Sequence, residues 1–200
     1  MIWWLRIRYV PAVAVGLLTC ILLGSGADSV TVPIPVVIGG LTFDLPMSSL
    51  LPLVPACLIL EGQARADAVA ERVAVRAVAG WDALFMAACV LACALAAGVA
   101  AMAGAGSAAM AMARDFAGYL GLALIVRRLA GARVAAVATA LFPFLCVSFG
   151  LVHNRPSIWA WPLHDATSTT ASLQAMALLA IGAVSLLLPP PRRHVGADDE

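Results

Sequence analysis

Residues 107–133 read SAAMAMARDFAGYLGLALIVRRLAGAR, and this stretch decides the fold class. Its first part, 107–126, is mostly apolar and carries only Arg114 and Asp115 as charges. Three arginines, Arg127, Arg128 and Arg133, then crowd into the gap that follows. A helix needs about 20 mostly apolar residues to cross a hydrocarbon core, and a basic gap after such a run marks the cytoplasmic end.

The pattern holds along the whole chain. All 12 basic residues are arginines, since the sequence has no lysine. Arg6 and Arg8 precede the first apolar run, Arg65, Arg72 and Arg76 follow the second, and Arg192 and Arg193 follow the last. The alternate gaps carry only Arg155. With six crossings from an inside N-terminus, ten arginines fall on one side and one on the other. The reading is all-α: a polytopic helical protein of the cytoplasmic membrane with about six spans and both termini cytoplasmic. The spans fall near residues 10–23, 45–60, 81–102, 107–126, 134–152 and 169–188 of a single transmembrane domain, 1–200.

Composition agrees. Of 200 residues, 63% are apolar and 12% charged, whereas a soluble domain has roughly 25% charged residues. Six spans use about 120 positions, so no room remains for a second soluble domain. The apolar runs do not alternate, which excludes a transmembrane β-barrel. Near-zero net charge gives no reason to expect nucleic acid as a partner. The five cysteines, Cys20, Cys57, Cys89, Cys93 and Cys146, all sit inside apolar runs, and an odd number so placed is no disulfide framework. Cys89 and Cys93 share a helical face and could hold a soft metal, but small apolar packing residues are the simpler reading, and no metal site is expected.

The gaps have their own character. Trp3, Trp4 and Tyr9 beside Arg6 and Arg8 anchor the first helix at headgroup level. A cleaved signal peptide is the rival reading, with Ser25 and Ala27 before the cut, but five further spans favour a retained helix. The outer loop, 24–44, holds two β-prone stretches about Gly39-Gly40, a hairpin signal, with Pro33 and Pro35 confining the first to an edge. It is expected to lie across the outer mouth of the bundle. The second span is short and contains Pro52 and Pro55, which remove backbone donors. Such interrupted spans either kink for packing or expose carbonyls along a transport path. In the third run Ala88, Ala92, Ala96, Ala100 and Gly104 recur every fourth position, a stripe that would admit a close neighbour. The inside loop, 61–80, reads EGQARADAVAERVAVRAVAG and is expected to be helical. Glu61 and Arg65 stand in the favourable i, i+4 order, and Arg72 and Arg76 share a face. The segment is either a solvated connector or a surface for a cytosolic ATPase, with Glu61, Arg65, Arg72 and Arg76 as contacts. The tail, 192–200, is expected to be disordered.

Chemistry within the chain is sparse, and an enzyme is not expected. Gly104–Ser107 reads Gly-Ala-Gly-Ser rather than the Gly-x-Ser-Gly turn of an intramembrane serine protease, and the last span has no His. There is no His-Glu-x-x-His. A Walker A loop needs a lysine, so any ATP hydrolysis belongs to another polypeptide. Arg114 and Asp115 remain, about 10 Å into their span at about 1.5 Å per residue. Ionisable groups at that depth face protein or a wet cavity. As sequence neighbours they point about 100° apart and are not expected to pair well, so each should draw partners from elsewhere, among them Asp28, Asp44, His164 and Asp165. A packing clasp and a substrate-path or gating pair are both open.

The stretch ARDFAGYLGLALIVRRLAGARVAAVATALFPFLCVSFG, with PSIWAWPL after it, resembles small six-span permease-like subunits of actinobacterial ABC exporters. The likeness lies in the Arg114-centred span, Gly118, Gly121, the Arg127-to-Arg133 turn, Trp159-Ala160-Trp161-Pro162, and the outer Val-Pro-Ile-Pro and Leu-Pro-Leu-Val-Pro stretches. Asp115 departs from the Asn that the family favours after the Arg. The resemblance implies a homo- or heterodimeric membrane portion docked on a separate ATP-binding subunit, with no cofactor on this chain. An importer's vitamin- or metal-binding membrane subunit, and a non-transporting scaffold or immunity protein, are the alternatives.

The arginine pattern generates a direct expectation. On a background with native cysteines replaced, a cysteine at Ala70 is labelled only from the cytoplasm, and cysteines at Gly39 and Ser157 only from outside. Outside labelling at Ala70 would sink the six-span topology.

Overall fold

The computed structural model describes residues 8–24, 30–35, 42–64, 78–104, 106–152 and 155–188. In chain order these form α1 (Val10–Gly24), β1 (Thr31–Pro35), β2 (Thr42–Pro46), α2 (Met47–Leu50), α3 (Leu53–Ala64), α4 (Val78–Met102), α5 (Gly106–Ala130), α6 (Ala132–Phe149), β3 (Leu151–Val152), β4 (Arg155–Pro156), a 3-10 turn (Trp161–Leu163) and α7 (Thr169–Leu187). Five helical stretches are long and apolar enough to cross a membrane, with α2 and α3 counting together as Met47–Ala64. The shorter α1 has 15 residues, about 22 Å at about 1.5 Å per residue. It nevertheless runs the full length of α3. Below it, the Arg8 carbonyl lies against Gly62; above, the Cys20 thiol donates to Leu51 O at 3.1 Å.

The outward faces explain why the fold suits lipid. Leu84, Leu91, Leu95, Val99 and Met102 on α4 are exposed, as are Leu173, Ile181 and Val184 on α7. In water such contiguous apolar faces would drive association, whereas acyl chains solvate them. Of the small-residue stripe of α4, Ala88 and Ala92 are exposed on this outward side and Ala96 and Ala100 half-buried; elsewhere on the helix nothing stands near Gly98. The inward face is instead Met86, Cys89, Cys93 and Ala97. The two cysteines are core packing residues, in one cluster with Leu17, Phe116 and Leu120.

The close helix approach occurs elsewhere. α5 is the hub, with 72% of its apolar window buried against 22–28% for α4, α6 and α7. Many of its buried positions are small (Ala108, Ala109, Ala111, Ala117, Ala123), which lets neighbours approach closely. The pairing with α7 is the most extensive. There a Cβ on Gly121 would fall on the backbone of Leu178 and Leu179, and one on Gly182 would lie 2.8 Å from Gly121 O. Gly131, at φ 92°, makes the sharp turn from α5 into α6.

At one end of the bundle β1 and β2 pair antiparallel, with Thr31 opposite Pro46 and Pro35 opposite Thr42. Ile34 and Leu45 pack on Val147 of α6, so the hairpin covers that end. The proline break also forms, between α2 and α3 at Leu51–Pro52. Pro55 cannot donate to Leu51 O, and that carbonyl is taken by Val54 N at 3.2 Å and by the Cys20 thiol. Several boundaries differ from expectation, and α5 runs on to Ala130 rather than ending at 126. α3 continues to Ala64, and α4 begins at Val78, so both ends of the expected 61–80 loop belong to long helices. α6 stops at Phe149 rather than 152, because Gly150 turns the chain: a Cβ there would lie 2.7 Å from that of Ala160. Gly39-Gly40, the remainder of the 61–80 loop with Arg65, Arg72 and Arg76, and the 192–200 tail lie outside the described residues.

Gly121→Val therefore inserts a side chain into backbone and should cost about 3 kcal/mol or more, by the measure of overpacked cores. Gly98→Val meets open space. Thermal unfolding in one membrane mimetic should show a large fall for the first and little change for the second; equal effects would contradict this helix arrangement.

Candidate functional site

Arg114 and Asp115 sit on the N-terminal half of α5, and both are buried, Arg114 at 8% exposure and Asp115 at 0%. Contrary to expectation they bond each other: Arg114 Nε donates to Asp115 Oδ1 at 3.0 Å. The long arginine stem folds back along the helix, so the angle between neighbouring Cβ directions does not keep the heads apart. The remaining guanidinium donors leave α5 altogether. Nη1 donates to the Asp165 carbonyl at 2.8 Å and Nη2 to the His164 carbonyl at 3.2 Å. The loop before α7 thus supplies backbone oxygens, not the side chains of His164 or Asp165; Asp44 is exposed on β2, and Asp28 lies outside the described residues.

These carbonyls belong to a lid over the bundle, residues 155–168. The lid is held by its own backbone bonds, Ser157 N to Gly150 O at 2.7 Å and Ser168 N to Asp165 O at 3.0 Å. The His164 ring is turned to Ser157 O at 3.1 Å. From the lid Trp161 descends into the core and is 3% exposed. Its ring stacks on Phe142 of α6, with centroids 4.4 Å apart, and tilts against Tyr119 of α5 at 6.0 Å. Gly118 makes the seat, since a Cβ there would lie 2.6 Å from Trp161 Nε1. Trp161 is a plug, and Arg114 is its latch.

The broken second span contributes to the same place. Tyr119 Oη donates to Ser49 O at 3.0 Å, and Ser49 Oγ donates to Pro162 O at 3.3 Å. Pro52 and Pro55 are fully buried beside this break. They stand at the break that follows Ser49. Among the described residues, Asp115 Oδ2 and Trp161 Nε1 have no hydrogen-bond partner.

A second polar network ties the opposite end. Arg8, 4% exposed, pairs with Asp82 of α4 at 2.6 Å and donates to the carbonyls of Gly62 and Gln63 at 3.4 Å. Gln63 Nε2 meets Met86 Sδ at 3.2 Å, and Arg127 donates to Gln63 Oε1. Arg128 caps the end of α7 through Ser185 O and Leu188 O, a favourable place for a cation. Of the expected ATPase contacts only Glu61 is described; it is exposed at this same end. The sequence marked Arg8 and Arg127 as interfacial cations, but nothing in it singled out Gln63, Asp82, Ser49 or the Trp161–Gly118 fit.

The latch sets an expectation for substitution. Arg114→Leu strands Asp115 and two lid carbonyls, and breaking a buried pair costs about 3–5 kcal/mol. Arg114→Lys keeps the charge but not the three-way fork. Limited proteolysis at residues 155–168 should therefore be fast in the leucine variant and intermediate in the lysine variant. Wild-type resistance in both would contradict the latch.

Comparison with known proteins supplies no relative: no family model, no curated protein and no solved structure matches the chain.

Proposed function

We propose that this chain is the permease-like transmembrane component of an ABC-type exporter in the cytoplasmic membrane, working with a separate ATPase subunit. It crosses six times, with both termini in the cytoplasm. The observation that carries the reading is the buried Arg114–Asp115 pair holding an outer lid shut at a depth where charges are costly. Ionisable groups so placed commonly serve substrate paths and gates. The end-to-end course of α1 beside α3, and the gathering of Arg8, Arg127 and Arg128 at the end opposite the lid, support the six-crossing topology. In this reading the chain itself carries no catalytic residue and no cofactor. ATP is hydrolysed by the partner, and the membrane portion is a homo- or heterodimer.

The polar ties at both ends, Arg8–Asp82 and Arg114–Asp115, divide the bundle into a closed outer side and a closed inner side. Alternating release of two such ties is what moving a substrate outward requires. The same saturation of Arg114 by the lid also favours a static membrane scaffold or immunity protein, in which the latch only fixes the fold. An importer's substrate-binding subunit would be marked by a vitamin or metal that co-purifies tightly.

The discriminating experiment is affinity purification from native membranes. The exporter reading expects a cytosolic ATPase to co-purify, and charge reversal at Arg72 and Arg76 to abolish its recovery while membrane insertion persists. Recovery unchanged by the reversal would reduce that segment to a connector. Absence of any ATPase from the wild-type sample would favour the scaffold.

A further inference from the structure

Along the C-terminal parts of α5 and α7 runs an open groove of about 440 Å³. Ile125 and Leu129, one turn apart, line it from α5, and Ile181, Val184 and Leu188 line it from the α7 side. Its volume lies within the range of ligand pockets, which begins at roughly 300 Å³. α5 is the most buried of the long helices, yet here Leu129 is 78% exposed. The two helices run parallel, with Gly121 against Leu178 and Arg128 against Ser185, so the groove follows both.

One cation stands among these apolar walls. Arg128 lines the groove, and its Nη1 donates to Ser185 O at 2.8 Å and to Leu188 O at 3.1 Å. Its neighbour Arg127 turns the other way, to Gln63 of α3. The two carbonyl bonds pin the Arg128 guanidinium at the groove's end, so little side-chain freedom is left to lose when an anion arrives. The end of α7 offsets only about half a unit of its charge.

We propose that this groove binds one anionic phospholipid, with an acyl chain between α5 and α7 and the phosphate at Arg128. Apolar walls call for hydrocarbon, and a fixed cation at one end calls for an anion. A phospholipid carries both in that order, from headgroup inward, and basic pockets between helices at a membrane surface attract anionic headgroups. Length agrees with one leaflet. From Leu188 back to Ala180 the lining covers about 12 Å of helix at about 1.5 Å per residue, inside the ~15 Å that is half of a ~30 Å hydrocarbon core. A crossing helix of a second copy would need a seam through both leaflets and a carboxylate brought to Arg128. So bound, the lipid braces the α5–α7 pair at the end opposite the lid. The proposal rests on the membrane fold and not on the exporter reading. Lipid retention is measured without an ATPase, so the two can fail separately.

Native mass spectrometry of the full chain in detergent tests it, with phosphatidylglycerol or phosphatidylcholine of the same acyl chains as the probe. The wild-type monomer should hold one phosphatidylglycerol on the order of five- to tenfold more tightly than phosphatidylcholine. Arg128→Gln keeps a donor but not the charge, and it should bind the two lipids alike. Ala180→Trp fills the groove from an exposed position with Arg128 in place, and it should weaken both. Arg133→Gln removes an exposed arginine outside the groove lining and should keep the preference. Equal wild-type affinity for the two lipids, a preference that survives Arg128→Gln, or one lost in Arg133→Gln would each overturn the proposal. Should Arg128→Gln fail to fold, Ala180→Trp decides, and wild-type retention of phosphatidylglycerol there refutes the site. A wild-type dimer that Ala180→Trp dissociates would give the groove to a second copy instead.

Discussion

A guanidinium cannot be left facing acyl chains, and one end of this bundle is organised around meeting the hydrogen bonds of one. Arg114 spends one donor on Asp115 and two on lid carbonyls. Satisfying it brings the lid down, and the descending lid carries Trp161 into the seat at Gly118 between α5 and α6. The broken second span completes the closure through Ser49. Charge burial, helix break and aromatic packing are thus one structure. None of the three is stable in this form without the others, because each leaves a buried polar atom or a void if removed.

The opposite end obeys the same rule with different parts. Arg8, Asp82, Gln63 and Arg127 join α1, α3, α4 and α5 in one network, while Arg128 holds the end of α7. These arginines therefore tie the helices of that end together. Between the two polar ends the helices meet through small residues and sulfur-containing side chains, most closely where Gly121 and Gly182 cross.

Much of this was legible in the sequence, and the reasons are physical. Arginine asymmetry and apolar run length are one-dimensional signals, so the helical membrane class and the approximate runs could be read directly. The hairpin and the proline break could be read too, because turn and proline chemistry are local. The depth of Arg114 and Asp115 showed that they face inward. What they would bond could not be read, since backbone carbonyls carry no sequence signature. The α4 stripe was misleading for a related reason: small residues permit close approach without demanding it, and here the permission is used by Gly121 and Gly182 instead. Nothing in the sequence around Trp161 marks it as a core residue. Only the fold shows that it points inward, with Gly118 as the space that receives it.

The central claim is that Trp161 is the plug and Gly118 its seat, and a double-mutant cycle tests this most directly. Thermal unfolding would be compared for Gly118→Ala, Trp161→Phe and the two together in one membrane mimetic. The added methyl of Gly118→Ala collides with the indole nitrogen, so it should destabilise the wild-type background strongly. It should cost little where the smaller phenylalanine ring has already freed the space, leaving the double variant no worse than Trp161→Phe alone. Simple additivity of the two single effects would contradict the account, because it would mean that residues 118 and 161 do not touch.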